Sequence, residues 1–374
     1  SNNASGVNST VGGGTTNTTS GLSSTISGGN TNTATGILSF IGGGDSNTSD
    51  GYRSAISGGY YNEASGQDST VSGGGYNTAS GGYSAIGGGY TNTASGDGAT
   101  VSGGGVQNTA SGEYSTVSGG YNNTSSGNAS FIGGGSSNQA SNYYATVGGG
   151  EQNSATADIS TISGGTYNIA SGDISTIGGG DGNEASGETS TISGGEGNIA
   201  SGGKSTISGG QNNTASSYYA TVGGGRYNAS SGDDSTIGGG YTNTASGNGS
   251  FIGGGSENQA SSYYATVGGG YVNIASGDYS TVSGGYVNVA SDNGTTVSGG
   301  SGNVASLNYS TVSGGFENTA SGGSSTIVGG QLNTASGLRS TIGSGLSNTA
   351  SGDYSTVSGG QQHIASGNES TIGG

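Results

Sequence analysis

The chain has 374 residues, a net charge of −17 and only four basic residues. Phosphate recognition needs clustered Lys and Arg, so this charge balance excludes a nucleic-acid partner and disfavours binding to an anionic membrane surface. Hydrophobic residues are 27% of the chain, no apolar run is long enough to span a bilayer and Cys is absent, so we expect neither membrane insertion nor disulfides.

A fifteen-residue phrase repeats along the whole chain, from a partial unit at Ser1 to the last unit, which ends at Gly374. If Tyr271 is position 1, as in YVNIASGDYSTVSGG, there are about 25 units with one extra residue, at Gly105. Position 3 is Asn in 24 units, and position 12 is Ile or Val in all 25. A short fixed period is typical of a solenoid, so we predict one continuous array over residues 1–374.

Each unit divides into two similar halves, x-x-N-T-A-S-G and x-x-S-T-V-S-G-G. Small polar, outward and apolar residues alternate with period two, which predicts one short strand in each half. Positions 3, 5, 10 and 12 are predicted to point inward, and positions 4, 6, 11 and 13 outward. Gly is predicted to end each strand with the positive φ of a corner. The expected fold is an all-β, single-chain β-solenoid: a thin roll with two short strands per coil and coils about 4.8 Å apart.

The sharpest predicted surface feature is a Thr column at position 11, which is Thr in 20 of the units. A flat Thr strip with a period of about 4.8 Å can order water and bind ice, although Thr is also an ordinary outward strand residue. Phe40, Phe131 and Phe251 interrupt the column. The candidate ice-binding strip is Thr281, Thr296, Thr311, Thr326, Thr341, Thr356 and Thr371.

A second outward column, at position 4, is often Thr but contains several aliphatic residues. Exposed aliphatic side chains in line indicate a lateral contact, for example with another copy of the chain. Ordinary strand preference explains the same residues equally well. The candidate contact residues are Ile169, Ile199, Ile274, Val289 and Val304.

The corners are predicted to carry the bulk and the charge, because all 22 Tyr and all four basic residues fall at positions 1, 2, 8 or 9. Asn-x-Ser/Thr sequences also occur there. Asn residues at position 3, such as Asn17, should point inward and be poor glycan acceptors, whereas corner Asn residues should be exposed. The candidate glycosylation sites are Asn128, Asn248, Asn293, Asn308 and Asn368.

Catalysis has no support in the sequence. The only His is His363, which occupies position 3 of the last unit, and one terminal His cannot complete a Ser-His-Asp set. Calcium-binding rolls place Asp in a nine-residue period, whereas the period here is fifteen. We therefore expect no enzyme activity, no cofactor and no metal.

The sequence also contains a repeat that is longer than the fifteen-residue period. FIGGGSSNQASNYYATVGGG begins at Phe131, and FIGGGSENQASSYYATVGGG begins at Phe251. This block duplication indicates that the number of coils has changed easily.

The phrase NTASGDYSTVSGG resembles the half-repeats of the grass-type ice-recrystallisation-inhibition β-rolls. Its ASGDYSTVSGG part also resembles the YadA-like head repeat of trimeric autotransporter adhesins and some phage fibres. Both resemblances cover the whole chain. Both families are left-handed rolls, so the resemblance implies that hand.

The leading functional hypothesis is a secreted structural solenoid at the cell surface or outside the cell, forming a rod, an end-to-end filament or an adhesive fibre, with sugars as possible corner modifications. It rests on uniform coils, block duplication and strand edges that can pair with another molecule. An ice-binding protein that uses the Thr strip is the first alternative. A trimeric adhesin or phage-fibre shaft, with position 4 across a threefold axis, is the second.

Overall fold

The computed structural model describes residues Ser1–Gly374 and confirms the fold class. The chain is an all-β solenoid of about 25 turns, with about 15 residues and two short strands per turn and no helix. Its strands are all two residues long. They fall into two compact units, Ser1–Ser186 and Gly187–Gly374.

In the first unit the strands are β1 Asn3–Ala4, β2 Thr10–Val11, β3 Thr18–Thr19, β4 Thr25–Ile26, β5 Thr33–Ala34, β6 Phe40–Ile41, β7 Thr48–Ser49, β8 Ala55–Ile56, β9 Glu63–Ala64, β10 Thr70–Val71, β11 Thr78–Ala79, β12 Ala85–Ile86, β13 Thr93–Ala94, β14 Thr100–Val101, β15 Thr109–Ala110, β16 Thr116–Val117, β17 Thr124–Ser125, β18 Phe131–Ile132, β19 Gln139–Ala140, β20 Thr146–Val147, β21 Ser154–Ala155, β22 Thr161–Ile162, β23 Ile169–Ala170, β24 Thr176–Ile177 and β25 Glu184–Ala185.

In the second unit they are β26 Thr191–Ile192, β27 Ile199–Ala200, β28 Thr206–Ile207, β29 Thr214–Ala215, β30 Thr221–Val222, β31 Ala229–Ser230, β32 Thr236–Ile237, β33 Thr244–Ala245, β34 Phe251–Ile252, β35 Gln259–Ala260, β36 Thr266–Val267, β37 Ile274–Ala275, β38 Thr281–Val282, β39 Val289–Ala290, β40 Thr296–Val297, β41 Val304–Ala305, β42 Thr311–Val312, β43 Thr319–Ala320, β44 Thr326–Ile327, β45 Thr334–Ala335, β46 Thr341–Ile342, β47 Thr349–Ala350, β48 Thr356–Val357, β49 Ile364–Ala365 and β50 Thr371–Ile372.

Within each unit, odd-numbered strands pair with odd-numbered strands and even with even, in parallel, as in β1 with β3 and β38 with β40. The register advances by one repeat at each step: Ala275 lies beside Ala290, and Val282 beside Val297. Each unit therefore has a first sheet, built from the first half-coils, and a second sheet, built from the second. Identical repeat positions form straight columns along both sheets.

Backbone hydrogen bonds join each coil to the next with a fixed polarity. In the coil that begins at Tyr271, amides at positions 1, 4, 6, 11 and 13 donate forward, as in Thr281 N to Thr295 O at 2.9 Å. Amides at positions 2 and 9 donate backward instead, as in Tyr279 N to Tyr263 O at 2.8 Å. This network pairs most of the backbone of a coil that has neighbours on both sides.

The predicted inward positions are buried in every coil except the first and the last, where several of them are half-buried or exposed. The apolar core of each unit comprises an Ile or Val column at position 12 and a column of Ala, with Ser or Thr in some coils, at position 5; Val282 and Ala275 are both 0% exposed. Such a core holds little volume per coil, so the fold depends strongly on hydrogen bonding and close packing between coils.

The Asn column at position 3 supplies side-chain bonds to that network. Asn288 Nδ2 donates to the carbonyl oxygens of Gly284 and Gly300, at 2.9 and 3.0 Å. Its Oδ1 accepts the backbone N–H of Asn303 at 3.0 Å. One buried side chain thus closes a corner and links two coils, which explains why Asn fills this position.

The prediction that Gly ends each strand with a positive φ is wrong for position 7. Gly322 has no positive φ, but a Cβ built there would overlap the carbonyl oxygen of Gly337 in the next coil. Gly is needed here because the backbones of successive coils approach closely. The prediction is correct at position 15, where Gly300 has a φ of 88°.

Each corner contains a left-handed residue that the repeat pattern did not predict. Positions 2 and 9 have φ values between 51° and 59° for non-Gly residues, including Tyr279 at 57° and even Val272 at 54°. In this conformation the backbone N–H points towards the preceding coil and donates a hydrogen bond to a carbonyl oxygen there. The backward hydrogen bond offsets the steric cost of a left-handed side chain.

The extra residue at Gly105 is absorbed in a corner. Thr93 on one side still pairs with Thr109 on the other, so the strand register passes through the insertion unchanged. Gly103 and Gly104 have φ values of 130° and 69°, which accommodate the longer connection.

Candidate functional site

The solenoid presents two sheet faces and two corners in each unit, and each candidate residue from the sequence lies on one of these surfaces. No concave pocket is present. Nowhere do three or more His, Asp or Glu side chains gather as metal ligands.

The Thr column is an in-register ladder on the second sheet of the second unit. Thr266 pairs with Thr281, and the ladder continues without interruption to Thr371. Thr281 to Thr356 are half-buried, since neighbouring coils cover part of each side chain, whereas Thr371 is exposed. The register is therefore regular along this Thr column, and ice binding stays a prediction.

The aliphatic column at position 4 is continuous over only three coils. Ile274, Val289 and Val304 are successive partners on the first sheet, and all three are half-buried. Ile169 lies between Ser154 and Glu184, so it belongs to no apolar stripe. Ile169 and Ile199 are more exposed, at 43% and 39%. A lateral contact through this column stays a prediction, and its best-formed part is the Ile274–Val304 stripe.

The corner Asn residues differ in exposure. Asn128, Asn248, Asn308 and Asn368 are exposed as predicted, whereas Asn293 is half-buried, so its predicted exposure is wrong. Asn128 donates to Glu113 at 3.3 Å, while Asn248 and Asn368 accept backbone amides from Asp233 and Asp353.

Asn308 can donate to the Asp292 carboxylate at 2.9 Å. By contrast, Asn17 in the Asn column is fully buried, as expected. Glycosylation of the corner residues stays a prediction.

His363, the only His of the chain, lies in the last coil. It occupies the Asn column, is half-buried, and its backbone amide donates to Asn348 Oδ1 at 3.0 Å. The structure thus places it where the repeat predicts a ladder residue.

The two corners carry most of the exposed aromatic side chains. The first corner comprises positions 1 and 2, and the second comprises positions 8 and 9. At the first corner of the first unit, Tyr61 stacks on Tyr76 with ring centroids 5.0 Å apart and an interplanar angle of 11°. Tyr60 and Tyr90 meet Tyr76 edge-on, at 5.5 and 5.4 Å. Partial burial of the hydroxyl raises the pKa of Tyr76, and the neighbouring phenols add to that shift.

The Tyr60 ring is seated on the backbone of Gly75, where a Cβ would come within 2.6 Å of the ring. Similar stacks occur in the second unit. Tyr271 stacks on Tyr286 at 5.4 Å and 13°, and Tyr264 stacks on Tyr279 at 5.8 Å and 18°. The negative charge of Glu257 raises the pKa of Tyr271. The sequence located these residues at the corners but did not predict that they stack.

The four basic residues are placed against aromatic rings or an acid of the same coil or of the next one. Lys204 Nζ lies 5.2 and 5.0 Å from the ring centroids of Tyr218 and Tyr219. Contacts with these two phenols raise the pKa of Lys204, and the hydrogen bond from Lys204 lowers the pKa of Tyr219. The cations therefore serve local corner contacts rather than a basic binding surface.

Arg53 forms an exposed ion pair with Asp68, with Nε 2.6 Å from Oδ1. This hydrogen bond lowers the pKa of Asp68. Because the pair is at the surface, its contribution to the free energy of unfolding is small.

With this geometry in place, comparison with known proteins gives one family match. The family described as the ubiquitous surface protein adhesin repeat matches residues 310–322, STVSGGFENTASG. The segment spans the second half of one coil and the first half of the next, so it contains both strand types. The repeat therefore resembles adhesin repeats over 13 residues, slightly less than one coil. The resemblance to ice-inhibition rolls has no such match.

No curated protein matches the chain. The structure contains no helix of the length and apolar character that a membrane crossing requires.

Proposed function

We propose that this chain is the structural shaft of an extracellular, adhesin-like fibre. The observation that carries the proposal is the uniform coil-to-coil bonding, in which the same amides and the same Asn side chain join successive coils within each unit. The adhesin-repeat match at residues 310–322 supports a surface protein. Regular stacking of identical coils gives a stiff spacer that grows by adding coils.

The polarity of the bonding favours self-association. A coil without a neighbour on one side leaves a row of amide donors or carbonyl acceptors unpaired. The opposite face of another copy presents the complementary row, which is strand addition at a sheet edge. This complementarity supports head-to-tail stacking of copies into filaments wherever a terminal coil is left unpaired.

Cryo-electron microscopy of the full chain over a range of concentrations tests the proposal. We expect continuous fibres that lengthen with concentration. Separate particles of single-chain mass at every concentration, confirmed by analytical ultracentrifugation, would contradict the filament. A discrete species of three chains would favour the trimeric shaft instead.

A matched variant separates end-to-end stacking from lateral packing. Replacing Ile274, Val289 and Val304 by Thr, the residue common at position 4, keeps the strand but removes the apolar stripe. If contacts run end to end, fibres persist in the variant. If contacts run sideways through this stripe, the variant loses its assembly while the fold, followed by circular dichroism, is retained.

Ice binding is a second candidate, favoured by the unbroken in-register Thr ladder from Thr266 to Thr371. Replacing Thr296, Thr311 and Thr326 by Lys should abolish thermal hysteresis if the ladder binds ice. The control places Lys at Thr319, Thr334 and Thr349, which form a similar ladder on the first sheet. Equal loss in both variants, or no hysteresis in the parent chain, would contradict this candidate.

A further inference from the structure

Tyrosine is the main site at which this chain can be oxidised. The sequence contains no Cys, Met or Trp, only one His, and 22 Tyr. The sulfur side chains that oxidants usually attack first are therefore missing. A one-electron oxidant acting on the folded chain will leave its radical on a phenol.

Three pairs of these phenols are stacked face to face in consecutive coils. The pairs are Tyr61 with Tyr76, Tyr271 with Tyr286, and Tyr264 with Tyr279, and their interplanar angles are 11°, 13° and 18°. Members of a pair occupy the same repeat position, so the register brings equivalent ring atoms towards one another. All six side chains are between 41% and 57% exposed, so small oxidants and enzymes can reach them.

Tyrosines that are adjacent in sequence are arranged differently. Tyr143 and Tyr144 meet edge-on at an interplanar angle of 72°, and Tyr218 and Tyr219 at 73°. A bond within such a pair would join neighbouring residues of one coil. A bond within a stacked pair would join two coils, which is why the stacked geometry matters for the solenoid.

We propose that the stacked pairs, above all Tyr61–Tyr76 and Tyr271–Tyr286, are sites of oxidative dityrosine cross-linking between consecutive coils. The oxidant is hydrogen peroxide acting through a haem peroxidase. It removes one electron and one proton from each phenol, and each peroxide is reduced to two waters. The two radicals form a carbon–carbon bond between their ortho carbons, and each ring hydrogen then moves to its phenolic oxygen, so that the product has lost two hydrogens in all.

Such a bond closes a loop of one repeat, since its partners are fifteen residues apart in sequence. It ties adjacent coils covalently in a chain that has no disulfides. Cross-linking a loop of this kind restricts the unfolded chain and so stabilises the folded one. The proposal does not depend on the fibre function, because it requires only exposure to a one-electron oxidant.

The test treats the dilute full chain with peroxide and a haem peroxidase. Dityrosine fluorescence and peptide mass spectrometry then locate every cross-link in the monomer fraction. We expect the Tyr61–Tyr76 and Tyr271–Tyr286 peptides to be the main products, each two hydrogens lighter than the sum of its parts. Tyr264–Tyr279, with its longer centroid distance of 5.8 Å, should give less.

Phe variants keep the ring and remove the phenol, so they leave packing largely unchanged. Tyr76→Phe should eliminate the first cross-link and leave the second, and Tyr286→Phe should do the reverse. Tyr114→Phe is the matched control: Tyr114 is 65% exposed and is not stacked on another Tyr. Cross-links found mainly at Tyr114 and similar residues, or only between molecules, would overturn the proposal.

Discussion

Two buried polar columns run along the inside of the solenoid, and they differ in what their side chains do. Asn288 and Ser280 are both 0% exposed. The Asn288 amide makes two donor contacts and accepts a third hydrogen bond from the next coil. The Ser280 hydroxyl has no hydrogen-bond partner in the protein, and the same is true of most position-10 Ser residues.

The residues found at the two positions along the chain reflect this difference. Position 10 is Ala in four coils, at Ala99, Ala145, Ala220 and Ala265, whereas position 3 departs from Asn only at His363. A hydroxyl without a partner can be removed at little cost, but a fully paired amide cannot. Asn therefore recurs at position 3 because of its hydrogen bonds, whereas Ser recurs at position 10 because of its small size.

The largest expected effect comes from replacing a hydrogen-bond donor of the Asn column by an acceptor. In Asn288→Asp the shape is kept, but a carboxylate replaces the Nδ2 that faces the Gly284 and Gly300 carbonyls. An unpaired buried charge of this kind should lower the free energy of unfolding by about 3–5 kcal/mol at neutral pH. Urea unfolding followed by circular dichroism measures the loss.

The free energy of unfolding of Asn288→Asp should also depend on pH. Burial and the facing carbonyl oxygens should raise the pKa of the new Asp in the folded chain above its unfolded value. The folded state then binds more protons, so stability relative to the parent chain should recover as the pH falls from the raised folded pKa through the unfolded one. A difference from the parent chain that stays constant over this range would argue against a buried carboxylate.

Removing the amide altogether should cost less. Asn288→Ala leaves the Asn303 amide and the carbonyls of Gly284 and Gly300 without their side-chain partner, with no buried charge added. The expected loss is about 3 kcal/mol. Native-state hydrogen exchange should localise it, with the Asn303 amide losing more protection than amides several coils away. Uniform protection across the second unit would show that the Asn bridge is not what holds these coils together.

Much of this contrast could be read from the sequence, and part could not. The fifteen-residue period and the alternation of Asn, Ala, Ser and Val predicted the coil, the strands and the inward columns, because side-chain direction in a strand has period two. The role of Gly322 was missed, because close approach between coils depends on their spacing in three dimensions.

The left-handed corners were missed for a related reason. Tyr279 and Val272 are poor choices for a positive φ in isolation, and only the backward hydrogen bond to the preceding coil makes the conformation favourable. The tyrosine stacks likewise depend on register between coils, which a composition count at positions 1, 2, 8 and 9 does not supply. The repeat period thus predicted which residues align in columns, whereas the close contacts and hydrogen bonds between coils needed the structure.

A smaller effect is expected where the Ser column does form hydrogen bonds. Ser230 replaces the usual Ala at position 5, and its Oγ lies 2.6 Å from Ser235 Oγ across the interior. Ser235→Ala removes this contact and leaves Ser230 only the Ser235 carbonyl, at 3.0 Å. The expected loss is about 1 kcal/mol, the usual net value of one buried hydrogen bond. Restoring stability with Ser230→Ala in the same chain would confirm that the pair acts together, while additive losses would separate the two residues.

The smallest effect is expected at Ser280, where the opposing residue is Ala275. Ser280→Ala deletes a hydroxyl that has no partner and produces the Ala–Ala interior already found where Ala265 lies in the same coil as Ala260. The free energy of unfolding should stay within about 0.5 kcal/mol of the parent chain, with any change favourable, because an unpaired buried hydroxyl is itself costly. Hydrogen exchange of the Thr281 and Val282 amides in Ser280→Ala can be compared with that of the Thr236 and Ile237 amides in Ser235→Ala. Each pair of amides lies directly after the substituted residue, so the effect is measured beside the substitution. If Ser280→Ala lowers the free energy of unfolding as much as Ser235→Ala does, the Ser280 hydroxyl forms a stabilising hydrogen bond in the folded chain. The Ser column would then resemble the Asn column more closely than its geometry indicates.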